Sequence, residues 1–274
     1  MPMEYPILME IFHKTRGYYP NKIIVGLDFF GSNTTYADGT KANRAVPTLQ
    51  MLDDNAFIYR MEMLSSIELS RKSFNLIRKN INIKEDGIEY ADVKHRAGHM
   101  GAGAYYPPIE DIEHKKHVGR TLYFDFKKIY EFFQYNDRYK EDISALVQPP
   151  IRAEVEPFIT PEGTLTMRLI AETPGRIDDY ERMIRDAVEV FGGVWNFMYV
   201  NSVTSNHLYW REPSHSIGQV NEWVLDRIFG TGNPPADFGV YVTQDNIDEH
   251  LKEVRAQLMA LPSQEDSWTR LMKE

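Results

Sequence analysis

The densest run of side chains able to do chemistry is HRAGHMGAGAYYPPIEDIEHKKH, residues 95–117. Here His95, His99, His114 and His117 surround Glu110, Asp111 and Glu113. Imidazole and carboxylate together suit zinc, manganese or ferrous iron, and His95 and His99 would share a face if the segment were helical. A metal-dependent enzyme built on His95, His99, Glu110, His114 and His117 is therefore one reading. Two features weigh against it. Gly98 and Gly101 disfavour a helix, and Lys115 and Lys116 put positive charge where a cation would sit. The competing reading is a set of solvated loop histidines, which beside acids titrate close to neutral pH.

Other catalytic signatures are absent from the sequence. Gly98, Gly101 and Gly103 do not make GxGxxG, and neither GxxxxGK[ST], HExxH nor GxSxG occurs. Ser205, His207, Ser214 and His215 lie in a polar stretch with no recognisable triad order. Asp28 ends an apolar run, a place where α/β enzymes hold catalytic carboxylates, although a plain strand-terminal role is the commoner reason for such a residue. With no cysteine in the chain, disulfides, thiolate metal sites and thiol nucleophiles are excluded. No cofactor is expected.

The aromatic residues point elsewhere. The chain has 16 Tyr, 14 Phe and 4 Trp, and they crowd locally in YYPP, YFDF, YEFFQY and HLYWREP. Exposed tyrosine and tryptophan beside arginine are the composition of protein interfaces, which makes Tyr105, Tyr106, Tyr209 and Trp210 the candidate contact residues. Core packing, or a carbohydrate or base-stacking surface, would show the same crowding.

These side chains need a scaffold, and 274 residues with 42% hydrophobic and 26% charged content can bury a sizeable core. The pattern predicts an α+β fold: a mixed or mainly antiparallel sheet, helices packed on one face, and a long irregular loop arm over 84–120. Lys22 to Phe30 and Ala56 to Met63 read as strands. Ser65 and Glu68 have capping-box spacing ahead of a helix over 66–79, and residues 123–139 read as one helix. Ile151 to Ile159 and Thr164 to Glu172 flank Thr160-Pro-Glu-Gly163, which predicts a hairpin with Gly163 at positive φ. A helix from Ile177 to Phe191, a strand from Val194 to Val203 and a helix over 220–229 capped by Ser216 and Gln219 follow. A short strand from Phe238 to Val242 and a helix over 244–260 capped by Thr243 complete the series. The prolines at 149–150 suggest an N-terminal lobe over 1–148 and a C-terminal α+β lobe over 149–274, with one continuous domain as the alternative.

Charge and hydropathy narrow the partners. Thirty-one Lys and Arg against 40 Asp and Glu give a net charge of −9, which repels a phosphate backbone, so direct nucleic-acid sequence recognition is not expected. No basic segment leads into an apolar run at the N-terminus, and no long uncharged apolar stretch occurs, so neither a signal peptide nor a membrane partner is expected. A virion or the cytoplasm is the expected location.

The loop DGTKANRAVPT leading into AFIYRMEM, together with the strand-to-acidic-helix unit TLTMRLIAETPGRIDDYERMIRDAVEVF, resembles elements of tail terminator or completion proteins of contractile-tailed bacteriophages. The resemblance implies an α+β subunit that closes a tail as a ring without catalysis. A non-catalytic structural subunit is thus the favoured reading, with itself, as a homo-oligomer, and neighbouring structural proteins as partners. The 84–120 segment is expected to serve as an interface arm anchored by Tyr105 and Tyr106 rather than as an active-site lid.

Overall fold

The computed structural model describes residues 2–34, 126–210 and 214–262. These belong to one of the two compact units into which the chain divides, formed by residues 1–43 and 107–274; the other, 44–106, lies outside the described residues. The expected strand over 56–63, the helix over 66–79 and the arm over 84–120 all fall outside the described residues too.

The fold is α+β, with a mixed four-stranded sheet in the order β1-β2-β3-β4. Strand β1 (Lys22–Leu27) pairs parallel with β2 (Glu154–Ile159), in a register running from Lys22 opposite Glu154 to Leu27 opposite Ile159. β2 pairs parallel with β3 (Gly193–Asn196), and β3 pairs antiparallel with β4 (Val240–Thr243). Residues from both ends of the sequence thus share one sheet.

Helix α1 (Tyr5–Arg16), absent from the sequence expectations, ends at Gly17, whose φ of 81° closes the last turn through a hydrogen bond to the His13 carbonyl. Helix α2 (Tyr139–Ser144) precedes β2. Residues 126–131 are helical, but no single helix spans 123–139: Tyr135 leaves the helix to bridge Asn33.

The predicted hairpin is not formed. Thr164–Glu172 is helix α3, Gly163 precedes it in an extended conformation at φ −67°, and β2 finds its partner in β1 instead. The alternation of Leu165, Met167, Leu169 and Ala171 suggested a strand. The residues actually buried are Thr166, Met167, Leu169 and Ile170, a helical set, and Arg168 pairs with Glu172 one turn on at 2.7 Å. Helix α4 (Arg176–Phe191) agrees closely with the sequence pattern: Ile177, Tyr180, Met183, Ile184, Ala187 and Val188 are buried, and Gly192 at φ 80° stops it. β3 ends at Asn196 rather than Val203, because Asn196 turns inward to a buried polar network and residues 199–205 form turns. Helix α5 (Gly218–Phe229) begins after Ile217 without a side-chain cap, and α6 (Ile247–Met259) begins after Asn246 rather than Thr243.

The two faces of the sheet are treated differently. Val25, Leu27, Ile159, Val194 and Val242 point into the main core and pack with α2, α3, α4 and α6. The neighbouring residues on each strand point the other way. Among the described residues, a smaller cluster of Val220 and Val224 from α5 with Phe197, Val203 and Phe238 covers part of that second face, at Phe158 and Trp195. Across it runs one row in register, Gly26-Phe158-Trp195-Tyr241, one residue from each strand. A Cβ on Gly26 would lie 3.0 Å from the Phe158 ring, and one on Gly193 would lie 2.4 Å from the Tyr241 hydroxyl, so the missing side chains let the rings lie across the strands. Ile24 and Tyr241 remain 43% and 44% exposed there.

Candidate functional site

Parallel strands present their carboxyl ends together, and in open sheets that edge is where ligands bind. Here β1 runs into Asp28, β2 into Glu162 two residues beyond Thr160, and β3 ends on Asn196. Two polar clusters form along this edge.

The first is acidic. Asp28 stays partly exposed and accepts a hydrogen bond from the Gly31 amide, which caps the 3₁₀ turn Phe29–Ser32. Glu162 is buried, with Thr166 bonding its carboxyl and Oε2 left without a partner. Two fully buried phenols, Tyr130 and Tyr139, also have unpartnered hydroxyls. Tyr130 is held by stacking on Phe29 at 6.0 Å and by contact with Phe30 at 5.3 Å. Tyr5, from α1, donates to the Gly26 carbonyl at 3.1 Å.

Burial pushes the Asp28 carboxyl above its ordinary range. It pushes Glu162 up further, and the charge of Asp28 adds to that push. The Tyr130 phenol rises for the same reasons: burial first, then the negative charges of Glu162 and Asp28. No lysine or arginine side chain among the described residues pairs with either carboxyl. Each buried oxygen without a partner costs about 1–3 kcal/mol.

The second cluster is fully satisfied. The Asn196 amide nitrogen donates to the Tyr180 hydroxyl at 3.0 Å and to His250 Nε2 at 2.9 Å, while its oxygen accepts from the Met198 amide at 2.9 Å. Tyr180 in turn donates to the Met198 carbonyl. Accepting at Nε2 assigns the His250 proton to Nδ1, the neutral form. Burial agrees with that assignment, pushing its pKa down to about 4.

The residues singled out in the sequence are distributed otherwise. His95, His99, Tyr105, Tyr106, Glu110, His114 and His117 lie outside the described residues. Trp210 is buried, its indole N–H donating to the Val203 carbonyl at 3.2 Å. Tyr209 is partly buried, edge-on to Trp223 at 5.1 Å. Ser214 Oγ lies 3.4 Å from His215 Nδ1, a contact between sequence neighbours at the surface. Among the described residues no three of His, Asp and Glu converge as a metal centre. No described helix is long and apolar enough to cross a membrane. A shallow groove of about 500 Å³ between α2 and α4 is lined by Asp137, Lys140, Glu141 and Glu189, with Lys140 already paired to Glu189.

Glu162 and His250 escaped the sequence reading. Glu162 was absorbed into the supposed hairpin turn. His250 carried a visible signal, since Ile247, Leu251, Val254 and Leu258 define the buried face of α6 and residue 250 sits on it.

Comparison of the chain with models of known protein families, with curated proteins and with solved structures finds no match.

Proposed function

We propose that the protein is a non-catalytic structural or assembly subunit that works through homo-oligomeric contacts, as a tail or neck component of a bacteriophage virion. The observation that carries self-association is the second face of the sheet. Three of the four strands are parallel, and parallel strands occur almost only in sheets covered on both sides. Among the described residues one side is layered by helices, while on the other α5 packs near Phe158 and Trp195 and leaves Ile24 and Tyr241 exposed. On the outer side of α5 itself, Leu225 and Phe229 are exposed. A second copy of the chain is the occupant proposed for this face.

The virion assignment rests on the resemblance to tail terminator and completion proteins. Within the resembling stretch TLTMRLIAETPGRIDDYERMIRDAVEVF, the part read as a strand is helix α3, and only the acidic helix, α4, ending on Gly192, keeps the element the resemblance implies.

Sedimentation velocity on the full chain should give a mass at least twice the 31.9 kDa of one chain, and a mass of 31.9 kDa would contradict self-association. The competing reading, a metal-dependent enzyme using the histidines of residues 95–117, separates by elemental analysis of protein purified without chelators. Stoichiometric zinc, manganese or iron would overturn the non-catalytic assignment.

A further inference from the structure

The Asn196 network has a polarity that the backbone fixes. The Met198 amide can only donate, and it donates to Asn196 Oδ1 at 2.9 Å, so the Asn196 nitrogen must face Tyr180 and His250. Tyr180 accepts there and passes its own proton to the Met198 carbonyl. His250 Nε2, 2.9 Å from that nitrogen, is left one role, that of acceptor. An imidazolium carries a proton on both nitrogens, so protonated His250 would set donor against donor. The titratable groups facing the ring are phenols: Tyr180 from α4, through Asn196, and Tyr199 from the turn after β3, edge-on at 5.9 Å. Charged side chains on the elements packed against α6 are engaged elsewhere: Asp178 and Glu181 of α4 with Arg255, Arg185 of α4 with Asp248, and Arg168 of α3 with Glu172. Asp237, entering β4, is taken up by Ser202, and Glu249, Lys252 and Glu253 of α6 itself are exposed to solvent. Burial alone acts on the imidazole, against its charged form.

The same network holds the strand ends that carry the second face. Asn196 lies opposite Ile159 of β2 and Val240 of β4, and its neighbours Trp195 and Phe197 belong to the cluster on that face. Tyr199, whose ring meets His250, donates to the Asp237 carbonyl and accepts from the Gly239 amide at 3.1 Å. It thereby ties the turn after β3 to the segment that enters β4 and leads to Tyr241. Building on the self-association reading, we propose that this network is an acid-release device for the second face: protonation of His250 breaks its contact with Asn196, loosens the ends of β3 and β4 that set Trp195 and Tyr241, and separates the copies. In the closed arrangement the ring must be neutral, whereas a released ring can take up a proton. Falling pH therefore shifts the population toward the released form.

The test takes the full chain from about pH 7 to about pH 4.5, following its mass by light scattering and its tryptophan emission, with far-UV circular dichroism to register unfolding. Wild type should fall from the mass of its oligomer toward 31.9 kDa and shift its emission to the red while the dichroism stays constant. His250→Gln, whose side-chain oxygen can accept from Asn196 but takes up no proton, should keep its mass and its emission over the same range. Asn196→Asp, the second variant if the first fails to fold, sets a carboxylate against the ring, holds the imidazolium in place and should also suppress both changes. An oligomer whose mass and emission ignore pH, a variant that responds at the same pH as wild type, or dichroism lost in step with mass would each overturn the proposal. An emission change that leaves the mass constant would overturn the coupling to the second face. A wild type already monomeric at pH 7 would count against the self-association reading itself, and its emission, compared with that of His250→Gln, would still decide whether the network releases.

Discussion

The two faces of the sheet come from the same strands, yet they do different work. On one face Val25, Leu27, Ile159, Val194 and Val242 disappear beneath four helices, and the polar groups at its carboxyl edge are drawn inward. On the other, the in-register row Gly26-Phe158-Trp195-Tyr241 spans the sheet under a partial cover, with Ile24 exposed beside it. A buried face needs each residue to fit its neighbours, so substitutions there act on folding. Apolar side chains left exposed on a face, as Ile24 and Tyr241 are, contribute little to folding and are available for contact. Stability and association should therefore respond to different residues of the same strands.

The largest effect belongs to the covered face. Ile159→Ala removes a fully buried side chain from the middle of the core, and urea denaturation should register a loss of about 3–4 kcal/mol. A loss under 1 kcal/mol would mean that this face is not the packed one.

Next in size is His250. Its pKa is about 4 in the folded chain against 6.5 in the unfolded one, so between those values the unfolded state binds the extra proton. Stability from this residue is complete above pH 6.5 and is lost as pH falls toward 4, by roughly 3 kcal/mol over the window. His250→Gln should flatten that part of the stability profile measured by denaturant titration.

The acidic pair slopes the other way. Asp28 and Glu162 have carboxyls raised above their ordinary range, so the folded state holds protons that the unfolded state releases. Their contribution is present below the usual carboxylate range and lost as pH rises through the raised values. Near neutral pH, Glu162→Gln should therefore move the urea midpoint upward. A downward shift would contradict the description of Glu162 as a carboxyl whose charged form is disfavoured by burial.

Much of this architecture is legible in the sequence. α4 announces itself through its apolar stripe, the aspartates of its first turn and Gly192, and β1 through its β-branched run. α3 is harder, because Leu165, Met167, Leu169 and Ala171 satisfy a two-residue period while Met167 and Ile170 satisfy a helical one. The Arg168–Glu172 pair, one helical turn apart, is the spacing that the strand reading passed over. The acidic cluster could not be read at all: Asp28 and Glu162 are 134 positions apart, and only the parallel pairing of β1 with β2 brings their strand ends together. Trp210 shows the converse. An aromatic residue beside Arg211 has interface composition, yet its indole is turned inward to Val203.

The smallest expected effect on folding is at Ile24, on the open face. Ile24→Asp should change the unfolding free energy by about 0.5 kcal/mol or less, since the side chain is 43% exposed at the sheet edge. The decisive measurement is the mass of the wild type and of Ile24→Asp by light scattering after size-exclusion chromatography. A homo-oligomer that falls to a 31.9 kDa monomer in the variant, with a urea midpoint equal to that of wild type diluted until it is monomeric, is the predicted result. A wild-type monomer, or an Ile24→Asp protein that keeps its mass but loses stability, would contradict it, because the second face would then be covered within the chain itself.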